Sequence, residues 1–385
     1  MNVLRHILIV ISFLILWMVV IIYGTIEGWF HHPIAEQNTT SDFYAAVDTE
    51  LQRNFVGNFA LAIINNGKVE YEKFHTAGKK VNRNTVFQVA SLSKWISAFG
   101  IMKLVEDGRL DLDKPVSNYL SRWKLPEGEF NNEVTVRRLL SHTAGLTDGL
   151  GYSGFETVGE MQSLEQSLTM AADADSGITG KVQVGVIPGS EFKYSGGGYT
   201  LLQLIVEEVT NQSFALYMQE AVFKPLGMFH STFIWNDSNA VELCEFYDDA
   251  YFPSKHKYYT SQAASGLYTS LADMELFFQA HFMGRNGEPA GRNVIKPATL
   301  KLMRAPHGNV MGVDIWGLGT VLYAATNTDD FIIGHDGKST PAINTAIRLN
   351  PITGDGIIIL ETGNSEIATH LASEWVYWKT GEVDT

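Results

Sequence analysis

The chain has 385 residues, 45% hydrophobic, 11% aromatic and 18% charged, with 28 Lys and Arg against 42 Asp and Glu for a formal charge of −14. This is the composition of a folded protein, and its acidic residues are spread along the chain with no basic stripe, so nucleic acid is excluded as a partner. The single cysteine, Cys244, excludes an internal disulfide; with no Cys-His cluster at zinc spacing, neither a metal nor any other cofactor is expected.

The first segment, Ile7 to Tyr23, reads ILIVISFLILWMVVIIY, and Ser12 is its only strongly polar side chain. The charge-free span from His6 to Ile26 is long enough to cross a bilayer core of about 30 Å as a helix. Arg5 precedes it and Glu27 and Glu36 follow, which predicts that everything after the span lies outside the cytoplasm, periplasmic or extracellular. The run is long for a cleaved signal peptide and no A-x-A-like site follows, so residues 1–27 are expected to be an uncleaved membrane anchor. Residues 28–40, with His31, His32, Pro33 and Asn38, read as a tether in which the two histidines do nothing.

Ser41 to Gln52 then reads as a helix with a Ser cap. FALAII (Phe59 to Ile64) and KVEYEKF (Lys68 to Phe74) flank Asn65-Asn66-Gly67 and predict a hairpin. From Ser91 to about Gly266 the pattern turns helical. SLSKWISAFGIMKLVEDG places Trp95, Phe99 and Met102 on one face and stops at Gly108. Further helices are expected over 135–141, 200–210 and 214–223, separated by Gly-, Asp- and Ser-rich connections at 145–154 and 171–180. After Trp316, WGLGTVLY, FIIG, INTAIRLN and GIIILE read as strands, with a turn at Thr353 to Gly356 and a closing helix from Glu366 to Trp378. The order predicts an α+β fold: an antiparallel sheet flanked by helices, built from about 41–90 and 310–385, beside an all-helical lobe from 91 to 309. The cleft between them is the default ligand site.

The chemistry is concentrated in three short segments. In Ser91-Leu92-Ser93-Lys94 a helix brings the Ser91 hydroxyl and the Lys94 amine to one face, while Ser93 points to another. A serine hydroxyl needs a base to become a nucleophile, and a lysine can serve once desolvation lowers its pKa; Trp95 and Phe99 are candidates for the apolar wall. Tyr194-Ser195-Gly196 sits just before a helix, where a phenol with its pKa lowered by a nearby ammonium can pass a proton. His335-Asp336-Gly337 lies on a strand, and Gly337 allows close approach of a ligand to the backbone.

The order of these pieces resembles that of the serine β-lactamase and penicillin-binding protein superfamily. The likeness is closest to the branch that holds class C β-lactamases, D-alanyl-D-alanine carboxypeptidases, related esterases and D-aminopeptidases, and it runs from about Phe59 to Trp378. EDGRLDLDKPVSNYL, TVRRLLSHTAGL, FKPLGM and AASGLYTSLADM also resemble segments of that branch. The resemblance implies that Ser91 is the acylated nucleophile, Lys94 its helper and Tyr194 the general base and acid. It implies oxyanion donors at the backbone N–H groups of Ser91 and Lys338, with His335 and Gly337 along the substrate. Two positions depart from the pattern. Gly196 stands where Asn is common, and His335 stands for the Lys of K-T-G, which points away from efficient β-lactam hydrolysis. His142, in LLSHTAGL, belongs by resemblance to a structural turn.

The function these features imply is acyl-enzyme hydrolysis of an amide, ester or lactam in a small-molecule or peptide substrate. Loops around Tyr152, Phe155, 173–180 and 247–259 are expected to wall the cleft. The alternatives are a penicillin-binding sensor and a non-catalytic peptidoglycan-binding scaffold. With only Met1 to about His6 inside, the first has no room for a signalling domain, and intact Ser91, Lys94 and Tyr194 argue against the second.

Overall fold

FALAII is apolar at every position because β1 (Asn58–Asn65) is buried on both faces. Ala60, Ala62 and Ile64 enter one hydrophobic core, while Phe59, Leu61 and Ile63 enter another. The structure is a computed structural model, and it describes all residues except 1, 27, 38, 55, 150, 237–241, 249, 327–329, 365 and 385; the side chains of 2–4, 22, 25 and 26 are also outside it. Glu27 and Asn38, used in the sequence reading, therefore lie outside the described residues.

Asn66 (φ 48°) and Gly67 (φ 70°) supply the left-handed pair that a tight hairpin turn requires, and β1 runs through them into β2 (Lys68–His75). A short pair, β3 (Val86–Gln88) with β6 (Tyr268–Ser270), and another, β4 (Phe246–Tyr247) with β5 (Pro253–Ser254), lie outside the main sheet. The remaining strands are β7 (Gly308–Val310), β8 (Val313–Trp316), β9 (Val321–Ala325), β10 (Phe331–Ser339), β11 (Ile343–Leu349) and β12 (Gly356–Thr362). The main sheet is antiparallel, eight strands in the order β2-β1-β12-β11-β10-β9-β8-β7, so the last strand of the chain closes against the first.

Helices cover both faces of this sheet. On one side α2 (Thr40–Arg53) and the C-terminal helix (Ile367–Thr380) bury Phe43, Val47, Leu371 and Trp375 against Phe59, Leu61 and Ile359. On the other lies α3 (Ser93–Glu106), followed in the chain by α4 (Val136–Leu140), α5 (Leu164–Thr169) and α6 (Gly196–Thr210). The single apolar face expected for α3 is not what forms. Every residue from Ser93 to Met102 is buried, because the helix is enclosed by the sheet on one side and by other helices around the rest.

The segment read as an idle tether is docked on the C-terminal helix. His31 Nε2 lies 3.3 Å from Glu374 Oε1, the Ile34 N–H donates to Glu374 Oε2 at 3.0 Å, and the His31 ring packs 4.4 Å from that of Tyr377.

Ahead of it, α1 (Asn2–Ile26) forms over the apolar run, and its side chains from Ile7 to Val20 are largely exposed. Among the described residues, however, no helix is long and apolar enough to cross a membrane.

Candidate active site

Ser91 lies in a single 3-10 turn, Ala90–Leu92, that runs directly into α3. Ala90 takes φ 45°, a left-handed conformation that costs a residue with a Cβ roughly 1–2 kcal/mol. The surrounding packing holds it there, and the bend leaves Ser91 half-buried while Leu92, Ser93 and Lys94 are buried. Lys94 Nζ reaches back one turn to Ser91 Oγ at 3.0 Å and donates to the Ala264 carbonyl at 2.9 Å. The two side chains that helix spacing was expected to bring to one face do meet. The wall around the amine is different: Nζ lies 4.9 Å from the Tyr194 ring centre and 5.6 Å from that of Tyr199. Trp95 and Phe99 turn away and pack on Phe277 and His281.

That enclosure sets the charge of the amine. Lys94 is 1% exposed, and desolvation pushes its pKa down from 10.5 to about 7, against the opposing pull of the Asp148 carboxylate. Tyr194 shares a hydrogen bond with Ser91. Its phenol is not lowered as expected but raised: burial is the largest cause and the Asp336 charge adds to it, while the Ser91 bond opposes both. At neutral pH the site therefore holds a protonated phenol beside an amine that titrates.

Asp148 is the residue that sequence reasoning missed. It is buried at 2% exposure, accepts from Ser195 Oγ at 2.7 Å and from the Gly197 N–H at 3.0 Å. Ser195 Oγ in turn accepts from the Gly198 N–H at 2.8 Å and caps α6. The carboxylate thus anchors the turn that carries Tyr194 and charges the surroundings of Lys94. Its only sequence signal is an Asp in the Gly-rich stretch 145–154.

The third segment lies on β10. This strand pairs with β11 through Ser339 but with β9 only as far as Gly334, so one backbone edge from His335 to Ser339 is free of sheet partners. Gly337 faces the turn before Ser91, where an added Cβ would meet the Val89 carbonyl oxygen at 2.0 Å. Only glycine allows strand and nucleophile turn to approach this closely. The Lys338 side chain points elsewhere and pairs with Glu366 at 2.5 Å. His335 is buried, its Nδ1 2.6 Å from the Asp336 carbonyl, and burial with the Lys94 charge pushes its pKa down to about 4. Tyr259 Oη bonds Ser339 Oγ at 3.1 Å at the strand end, and the Phe155 N–H donates to the Tyr258 carbonyl at 2.8 Å. Of the acidic loop residues, Asp173 is buried and its carboxyl is pushed up to about 6, chiefly by desolvation.

Ser93 does structural work. Its Oγ donates to the Ala90 carbonyl at 2.6 Å and accepts from the Leu267 N–H at 3.0 Å, bracing the strained turn. Ser93→Ala is therefore expected to lower the unfolding free energy by about 1–3 kcal/mol, from the buried Leu267 N–H left unpaired, while the Ala90 carbonyl keeps the Ser93 N–H. A thermal melt together with fluorophosphonate labelling checks this: labelling of Ser91 should persist in the folded variant, and its loss would make Ser93 part of the chemistry.

A serine with a buried lysine on one turn and a tyrosine beside it, under the free edge of an antiparallel sheet, defines a serine-hydrolase-like protein. The Beta-lactamase family model matches residues 45–381, and the chain belongs to that family. It is 27% identical over 348 residues to Protein flp of Staphylococcus aureus (strain MRSA252), covering 86% of this chain and 65% of that protein. The chain thus spans just under two thirds of the length of that relative. The octameric penicillin-binding protein homologue from Pyrococcus abyssi superposes with a TM-score of 0.72 at 23% identity, covering 90% of this chain and 78% of that one. D-alanine carboxypeptidase AmpC from Burkholderia cenocepacia gives 0.67 at 20% identity, covering 88% and 99%. At these identities the structural likeness speaks for the fold alone.

Proposed function

We propose that this protein hydrolyses an amide or ester through an acyl-enzyme on Ser91, with Lys94 as the base. The observation that carries the reading is the Lys94 amine, desolvated to a pKa of about 7 and 3.0 Å from Ser91 Oγ. Neutral Nζ takes the Ser91 proton as Oγ attacks the substrate carbonyl. The N–H groups of Ser91 and Lys338 receive the developing oxyanion, in keeping with the free edge of β10. Tyr194, a neutral phenol, gives its proton to the leaving group and regains one from the Lys94 ammonium. Water then attacks the acyl-enzyme by the reverse relay, and the acid is released.

The uncharged His335 bears on the substrate. The lysine common at that place offers a fixed charge to a carboxylate, and a histidine held near pKa 4 does not. We therefore favour substrates without a carboxylate at that point, esters and neutral amides, over penicillins. A panel of p-nitrophenyl esters, D-Ala-D-Ala peptides and nitrocefin tests this. Ester turnover exceeding nitrocefin turnover by about 10²-fold is expected, as one lost charge-assisted contact of about 1.5–3 kcal/mol accounts for most of that ratio. Nitrocefin as the better substrate would reverse the assignment.

We further propose that α1 holds the protein at a membrane with the catalytic part outside the cytoplasm. The support is its backbone length, 25 residues or about 37 Å, its exposed apolar side chains and the position of Arg5. A C-terminal reporter active only in the cytoplasm should stay dark when fused to residues 1–385, and a bright fusion would overturn the topology.

A further inference from the structure

Two buried histidines beside the site, His142 and His335, have complementary tautomers written into the backbone around them. They are 2% and 3% exposed. The Ser195 N–H donates to His142 Nδ1 at 3.1 Å, so Nδ1 holds the lone pair and the neutral ring carries its proton on Nε2. His335 is the reverse case. Its Nδ1 lies 2.6 Å from the Asp336 carbonyl oxygen, which can only accept, so Nδ1 carries the hydrogen and Nε2 is bare. Both Nε2 atoms are buried without a hydrogen-bond partner among the described residues. One is a donor and the other an acceptor.

The two rings share a wall. Trp316 packs 4.7 Å from the His142 ring and 5.4 Å from the His335 ring, and His142 also lies 4.4 Å from the Tyr194 ring. The polar groups around them are already engaged. Trp316 Nε1 and Tyr199 Oη both donate to the Leu140 carbonyl at 3.2 Å, and Lys94 Nζ is bonded to Ser91 and Ala264. The charged and titratable groups that act on the pair are Lys94 for both, His335 for His142, and Asp336 and Arg348 for His335, and each ring feels burial first. A buried donor and a buried acceptor left bare are each costly, and one water satisfies both by accepting from one ring and donating to the other.

We propose that an ordered water bridges His142 Nε2–H to His335 Nε2, making His142 a positioning residue that ties the Tyr194-Ser195 turn to the His335-Asp336-Gly337 strand. The hydrolase reading supplies the reaction that the bridge serves; the bridge itself is a statement about two tautomers. Through it, the Tyr194-Ser195 turn and the His335-Asp336-Gly337 strand keep their spacing around Ser91, and His335 stays neutral with its acceptor occupied by water.

The test is ¹⁵N-imidazole NMR on the full chain at pH 7, with the two rings assigned by the signals lost in the His142→Gln and His335→Gln variants. The expected result is an Nε2–H tautomer for His142 and an Nδ1–H tautomer for His335. The same tautomer on both, or an imidazolium on either, overturns the bridge. Kinetics supply the second arm. His142→Gln keeps an N–H near the Nε2 position and should stay within about threefold of wild-type kcat on a p-nitrophenyl ester, whereas His142→Phe should lose about 10–100-fold in kcat with KM little changed. Equal loss in both variants, or none in either, rejects the positioning role. If His142→Phe does not fold, the wild-type tautomers still decide. Should fluorophosphonate fail to label the wild type, the hydrolase reading falls while the NMR result stands by itself.

Discussion

Ser91→Ala is expected to lower kcat/KM for a p-nitrophenyl ester by roughly 10⁴–10⁶-fold, the range seen when a nucleophile that works as part of a unit is removed. The loss should come without loss of fold. Ser91 is half-buried at a turn braced by Ser93, and Lys94 keeps its bond to the Ala264 carbonyl when the hydroxyl is gone. Kinetics and a thermal melt on the same preparation check both halves. Turnover within tenfold of wild type at an unchanged melting temperature would mean that another group is the nucleophile.

Lys94→Met should separate catalysis from stability. Activity should drop by about 10³-fold or more, since the base is gone. Stability should move the other way. In the folded chain the Lys94 pKa is lowered from 10.5 to about 7, so between those values the unfolded chain binds a proton that the folded chain does not. Stability contributed by this residue therefore rises with pH across that window, and the penalty of burying it is complete below about pH 7. Methionine removes the penalty and leaves the Ala264 carbonyl without its donor, a loss of about 1–3 kcal/mol against a larger gain. A net gain of about 1–3 kcal/mol is expected at pH 6, fading toward pH 10. The wild-type activity should fall as pH drops through about 7, where Lys94 becomes an ammonium. Denaturant titrations at pH 6 and 10, with a pH–rate profile, test all three. A Met variant less stable at pH 6, or a flat acid limb, would contradict the burial argument.

The hairpin β1–β2 was legible because its turn chemistry and its apolar run agree, and the central strands were legible from β-branched runs bounded by Gly and Asn. Helix α6 begins at Gly196, four residues before the predicted start at Thr200. Three successive glycines disfavour a helix locally, and what overrides them is the Ser195 cap and the Asp148 carboxylate, a contact across 47 residues of sequence. The nature of α3 was hidden for a related reason: periodicity reports one apolar face, and a helix enclosed all round has none to report. Within the site, Ser91 with Lys94 followed from spacing alone. The raised phenol of Tyr194, the carboxylate of Asp148 and the two bare imidazole nitrogens each depend on burial by distant segments, which spacing does not encode.

The central claim is that Ser91 forms the covalent intermediate, and the most direct measurement is peptide mass spectrometry of the wild-type protein after reaction with a fluorophosphonate. The adduct is predicted on the hydroxyl of Ser91, at stoichiometry approaching one per chain, and faster above pH 7 than below it as Lys94 loses its proton. An adduct on Ser93, Tyr194 or any other residue, with Ser91 unmodified, would contradict the account.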